Sequence, residues 1–220
     1  MINLWGLLST FLIFKVAKRL KNIRFVGKIP PTVLTAIILI AVLLIFDLSF
    51  DSYNKSACVY TILLGPATIA LAYPLTENLG MLAKNKRAIY FGLLLATITA
   101  LVVTFVVGKF FHSDKTLIIS LLPKTVTTPI AVEVSKFIGG IPELTACLVV
   151  MTGIYGAVFG HRILKLVGVK NDVAIGLAIG AASHVLGTST CVNKRRQVVM
   201  ATLALIITGI LTTLLCVLFF

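Results

Sequence analysis

The stretch Ser120–Pro142, SLLPKTVTTPIAVEVSKFIGGIP, constrains this chain more than any other. It lies among long apolar runs, yet it carries Pro123, Pro129 and Pro142, the charges of Lys124 and Glu133, and a cluster of hydroxyls. A plain membrane-spanning helix does not absorb that mixture cheaply. Each interior proline removes a backbone donor and crowds the carbonyl four residues earlier. In hydrocarbon the freed groups need new partners, so broken backbone persists only where protein buries it or where it lines a wet cavity. The stretch is therefore expected to be a discontinuous or re-entrant helix at a functional site. Pro123 and Pro129 mark its break, with Lys124 and Thr125–Thr128 beside it.

The surrounding sequence sets the solvent. Of 220 residues 59% are hydrophobic, and the mean hydropathy is +1.08. Several apolar runs approach the roughly 20 residues needed to cross a bilayer. The expectation is an all-α polytopic membrane protein in which residues 1–220 form a single transmembrane domain. A net charge of +13 raises the question of nucleic acid. The basic residues, however, fall in short clusters between apolar runs: residues 15–28, Lys84–Arg87, Arg162–Lys170 and Lys194–Arg196. That is the positive-inside pattern, with some attraction to anionic lipid, and it excludes nucleic acid as the main partner. Cys58, Cys147, Cys191 and Cys216 show no CxxC spacing and read as small hydrophobes in or near spans.

In chain order, spans are expected at about Ile2–Leu20, Pro30–Phe46, Cys58–Leu79, Ala88–Phe110, Leu144–Phe159, Val173–Cys191 and Val198–Phe219. Asp47–Lys55 reads as a polar outer connection. The third segment is interrupted at Gly65, Pro66 and Pro74, and the sixth carries Ser183, His184, Gly187, Thr188 and Ser189, so both are candidates for breaks. Gly153, Gly156 and Gly160 form a small-residue face suited to close helix packing.

The two halves resemble one another. Phe25–Pro30 matches Phe137–Pro142, and Leu-Thr-Ala follows in each, at Leu34–Ala36 and Leu144–Ala146. Gly65–Thr68 then corresponds to Gly180–Ser183, and Asn85–Arg87 to Asn193–Arg195. The order of these matches implies two internal repeats, about 1–111 and about 116–220. Paired repeats with interrupted helices point to a transporter site near the bilayer midplane. If Thr116–Ser135 spans, eight crossings result and the halves run parallel; if it dips in and returns, the halves are inverted, which is the preferred reading.

Three groups stand out for chemistry. Lys124 beside a helix break can attract a carboxylate, helped by the free N–H groups of the half-helix that begins near Thr127–Pro129; the plainer alternative is a lysine snorkelling to the interface. Glu133 and His184 are candidate proton carriers, against lipid-interface and structural roles. A Ser183–His184 hydrolase pair fails, because adjacent helical residues point about 100° apart and no acid lies nearby. No metal, nucleotide or cofactor motif is present, so no cofactor, metal site or enzymatic activity is expected. The expected substrate contacts are Thr68, Lys124, Thr125, Thr127, Thr128, Ser183, His184, Thr188 and Ser189.

The segments LLPKTVTTPIAVEVSKFIGGIP, GIYGAVFG (Gly153–Gly160), AIGLAIGAASHVLGTST (Ala174–Thr190) and ALAYPL (Ala70–Leu75) resemble the hallmark segments of the LrgB/CidB family. The resemblance covers nearly the whole chain. It implies a multi-pass protein of the bacterial inner membrane, often paired with a small holin-like companion of the LrgA or CidA type. Such pairs are described as holin-like or antiholin-like modulators of murein hydrolases and autolysis. Plant relatives are plastidial glycolate/glycerate translocators, and some bacterial pairs are linked to pyruvate uptake. The resemblance further implies a fold like those of cation–proton antiporters and bile-acid symporters, with inverted repeats and crossed broken helices. Two functions are therefore expected in competition: secondary transport of a small monocarboxylate by alternating access, and regulation of cell-wall hydrolases with a holin-like partner. A homodimer is compatible with the glycine-rich faces.

Overall fold

The computed structural model describes residues 4–20, 31–70, 86–191 and 194–220, and every described element is helical. The chain divides into two compact units, Met1–Ala70 and Leu71–Phe220, a boundary that differs from the one between the two sequence repeats.

In the first unit, α1 (Trp5–Leu20) packs on α2 (Pro31–Ile45), on the short α3 (Phe50–Ser56) and on α4 (Cys58–Ala70). Polar atoms tie it together. The Gly6 N–H, which lies in the first turn of α1 and has no intrahelical acceptor, donates to Ser56 Oγ at 3.1 Å. The Tyr60 hydroxyl donates to the Leu7 carbonyl at 3.1 Å. The connection expected at Asp47–Lys55 thus contains a helical turn, started by Ser49, whose hydroxyl accepts from the Ser52 N–H. At Gly65 and Pro66, where the helix is expected to be kinked or broken, it does not end: α4 runs through both. One proline removes one hydrogen bond, and that deforms a helix without having to end it. Pro74 lies outside the described residues.

The second unit is built on α10 (Arg195–Phe219). Its buried positions Met200, Ala204, Leu205, Thr208 and Thr212 recur at helical spacing. Two helices frame it. One is α5 (Lys86–Phe110), which buries Ile89, Leu93, Thr97, Leu101 and Thr104 along one stripe. On its far side Phe91, Leu95, Val102 and Val106 are exposed, as a lipid-facing surface requires. The other is α9 (Asp172–Thr188), which lies so close to α10 that a Cβ added at Gly176 or Gly180 would run into the backbone of Gln197 or Ala201. The helix expected at Leu144–Phe159 is longer, α8 (Pro142–Leu166). Nothing in its sequence stops it earlier, and Arg162 and Lys165 have long enough stems to carry their charges outward.

Among the described residues, four helices are long and apolar enough to cross a membrane: Lys86–Phe110, Pro142–Leu166, Asp172–Cys191 and Arg195–Phe219. The segment between α5 and α8 does not make a fifth. It consists of α6 (Lys115–Leu121, 7 residues), a 3-10 turn (Leu122–Thr125) and α7 (Thr128–Phe137, 10 residues). At 1.5 Å per residue neither helix approaches the roughly 30 Å of hydrocarbon.

A knot of hydroxyls closes this segment into a hairpin. Ser120, just before the break, and Ser135, well inside α7, are fully buried together with Thr145 of α8. The Thr145 hydroxyl lies 2.9 Å from the Ser120 carbonyl and 2.6 Å from Ser135 Oγ. The Thr145 hydroxyl is the donor of the knot, its one hydrogen shared between Ser135 Oγ, the Ser120 carbonyl and the Ile141 carbonyl at 3.1 Å. The Ile141 N–H completes the knot by donating to Ser120 Oγ at 2.8 Å. Thr145→Val keeps the shape but leaves a buried carbonyl and a buried hydroxyl unpaired, at a cost of about 1–3 kcal/mol. Thermal unfolding in detergent should show the loss, and Thr145→Ser should recover most of it.

Candidate functional site

The backbone is interrupted in two places within the second unit, and each interruption is held by α8. At the first, Leu122–Thr125 is a 3-10 turn in which Pro123 leaves helical geometry (φ −83°, ψ 16°). Val126 and Thr127 are then extended, and Thr128 starts α7 with Pro129 in its first turn, a place where the missing N–H costs nothing. Thr127 is the N-cap of α7. It makes no capping bond, and its hydroxyl is buried without a hydrogen-bond partner among the described residues. A threonine at that position normally accepts from the N–H of the second or third helical residue. Here the second is a proline with no N–H. The start of α7 therefore combines an unused hydroxyl with the unpaired N–H groups and positive dipole of a helix N-terminus.

At the second interruption, α9 departs from helical geometry at Ser183 (φ −137°, ψ 16°) and His184 (φ 41°, ψ −140°). A positive φ at a residue with a bulky side chain costs on the order of 1–3 kcal/mol and persists only where the surroundings enforce it. The enforcement is visible. His184 is buried, and its Nε2–H donates to the Val149 carbonyl at 2.9 Å, which fixes that tautomer when the ring is neutral. A Cβ at Gly153 would strike the His184 ring, and one at Gly156 would strike the Ser183 side chain. The break thus lies at Ser183–His184 rather than at Gly187, which remains helical. Gly187 instead makes room for Ser183 Cβ from within α9.

The two interruptions border one cleft. Lys124 and Thr125 from the first, and Ala181 and Ala182 immediately before the second, line a space of about 560 Å³ between α5 and α9. Its polar groups are Lys124, Thr125 and Thr152; the rest of the wall is apolar, mostly alanine with Ile89, Leu93 and Leu177. Lys124 is half-buried, and its ammonium donates to Thr104 Oγ1 of α5. The Thr104 hydroxyl hydrogen is already donated to the Ala100 carbonyl at 2.6 Å, so only its lone pairs face the lysine. Thr152 likewise donates to the Leu148 carbonyl at 2.8 Å and offers acceptors alone. Thr125 is nine-tenths buried and makes no side-chain hydrogen bond to another described residue, so its hydroxyl can donate or accept.

The expected site residues therefore separate. Lys124 and Thr125 share the cleft, and Thr127 and Thr128 begin the adjoining half-helix. Ser183 lines a smaller neighbouring space of about 230 Å³ with Thr152, Gly156 and Ala182. Thr188 and Ser189 are spent locally, donating to the His184 carbonyl at 2.8 Å and the Leu186 carbonyl at 2.7 Å. Glu133 is exposed on α7, without the burial on which a proton-carrying role was argued. The Thr68 side chain lies outside the described residues. Sequence reading missed Thr104, Thr152 and the Ser120–Ser135–Thr145 knot. It also missed a polar chain at one end of α10, where Gln197 Nε2 and Lys194 Nζ both donate to Asp172 Oδ1, at 2.8 and 2.9 Å.

The comparisons with known proteins agree with the motifs. The LrgB-like family profile matches residues 10–220. A Haemophilus influenzae protein described as uncharacterized is 35% identical, covering 97% of this chain and 93% of its own length. The uncharacterized protein YxaC of Bacillus subtilis is 34% identical, covering 72% of this chain and 69% of its own length. The holin-like protein CidB of Staphylococcus epidermidis is 30% identical, covering 83% of this chain and 80% of its own length. No solved structure matches the chain. Hydrophobic helices, the proline-broken centre and a profile match over almost the full length lead to one assignment: the chain belongs to the LrgB-like family of membrane proteins.

Proposed function

We propose that the chain is a secondary transporter of a small monocarboxylate, of the pyruvate, glycolate or glycerate class, in the bacterial cytoplasmic membrane. The observation that carries this reading is the cleft beside the two backbone breaks, where the described residues supply one cation, Lys124, and the hydroxyls of Thr125 and Thr152; the N-terminus of α7, whose capping hydroxyl is unused, begins just beyond Thr125. One cation suits one carboxylate. A protein with no anion to bind has no evident reason to hold Lys124 there against its desolvation cost. The hairpin of α6 and α7 also favours inverted over parallel repeats, since the segment turns back on itself. Alternating access would then proceed by rocking around the fixed breaks.

Thr104 holds the ammonium in place in this reading. Thr104→Val should raise the KM for uptake about 3- to 10-fold, the net worth of one ordinary hydrogen bond that acts through Lys124, and Thr104→Ser should restore it. The parent experiment is uptake of radiolabelled pyruvate, glycolate and glycerate into proteoliposomes. Saturable uptake of at least one supports transport. Absence of uptake for all three by folded protein supports the second reading, a regulator of murein hydrolases acting with an LrgA- or CidA-type partner. That reading draws on the holin-like names of the CidB relatives.

A further inference from the structure

The cleft is far larger than a three-carbon acid and almost wholly apolar away from its cation. Ala96 and Ala100 of α5 face Ala178 and Ala181 of α9 across it, and their small side chains create the space. Ala178 is exposed mid-helix, on the same face of α9 as the exposed Ala174 and Ala182, which also line the cleft. Thr125, nine-tenths buried and without a side-chain hydrogen bond to another described residue, lies beside Lys124 at the polar end. A three-carbon acid bound through Lys124 and Thr125 would leave most of the 560 Å³ unfilled. An apolar wall without apolar contact forgoes the free energy of burying each methylene. Pockets of this kind orient a ligand by a few polar groups and hold it by its hydrocarbon.

We infer that the preferred ligand is a monocarboxylate carrying an unbranched or branched apolar tail, about four to six carbons in all, with its carboxylate on Lys124 and its tail between Ala96 and Ala178. The inference rests on the transport reading, because it takes the same cleft as the binding site and names the ligand's other end. Within the carboxylate class it moves the preference away from the shortest acids.

The test is equilibrium binding of acetate, propionate, butyrate, pentanoate and hexanoate to the full chain in lipid nanodiscs, with empty nanodiscs as the partition blank. Affinity should rise about 4-fold with each added methylene, the worth of one buried CH₂. Ala178→Phe should flatten that series, and Ala96→Phe, which fills the cleft from the opposite helix, should do the same if the first variant does not fold. Lys124→Gln should abolish binding at every length. Acetate or propionate binding with no gain along the series would overturn the inference and leave the transport reading standing. A series unchanged in Lys124→Gln would overturn it as well, since the acids would then be bound elsewhere. No binding at any length, together with no uptake, would remove both readings.

Discussion

Carboxylate uptake by Lys124→Met is expected to fall about 10- to 100-fold, with the protein still folded and inserted. The magnitude is that of a charge-assisted hydrogen bond, about 1.5–3 kcal/mol, lost without compensation. Methionine fills the space of the lysine stem, so packing between the 3-10 turn and α5 should survive. The structure also predicts which defect appears. Lys124 reaches Thr104 from a turn fixed by prolines on one side and by the hydroxyl knot on the other. Removing the ammonium should therefore leave the thermal transition nearly unmoved. Lys124→Arg should keep part of the activity, because the charge remains while the planar fork cannot reproduce the position of a compact ammonium. Uptake kinetics alongside melting curves separate these outcomes from simple misfolding.

The largest stability effect is expected at Gly180. A Cβ there meets the carbonyl oxygen, carbonyl carbon and Cα of Ala201, all backbone atoms of α10. No rotamer change relieves that contact; the two helices must separate. Gly180→Val should destabilise the protein by about 2–3 kcal/mol or more, typical of overpacking at a rigid contact. Gly160 makes the internal comparison. It belongs to the same class of small residues in the sequence, but a Cβ there finds only Ile179 at 3.7 Å, an ordinary contact. Gly160→Ala should be neutral, or stabilising by about 0.5–1 kcal/mol through helix propensity. Both are read from thermal unfolding in one detergent. Equal behaviour of the two variants would contradict the close approach of α9 and α10.

How much of this was legible beforehand differs residue by residue. The break at Leu122–Thr128 was legible because proline acts locally: it deletes a donor and blocks a carbonyl wherever it stands. The break in α9 was legible as a region and not as a residue. Ser183 and His184 leave helical geometry because α8 presents Gly153 and Gly156 to receive their side chains, and that fit is tertiary. Pro66 shows the converse, since the proline is there and the helix continues. The knot of Ser120, Ser135 and Thr145 was invisible for another reason. Single hydroxyls in apolar helices usually bond back to their own turn, and only the hairpin brings these three together. Thr104 was hidden in the same way, as one threonine among several on an otherwise plain span.

The central claim is that a positive charge at position 124, beside the broken backbone and inside the cleft, grips the substrate's carboxylate. It is tested most directly by rebuilding the charge chemically. In a chain whose Cys58, Cys147, Cys191 and Cys216 are replaced by alanine, Lys124→Cys should be inactive in uptake. Treatment with aminoethyl methanethiosulfonate, which places an ammonium on the introduced thiol, should restore a substantial part of the activity. The neutral methyl reagent and the anionic sulfonatoethyl reagent should restore none. Equal recovery with all three reagents, or undiminished uptake before any treatment, would contradict the account.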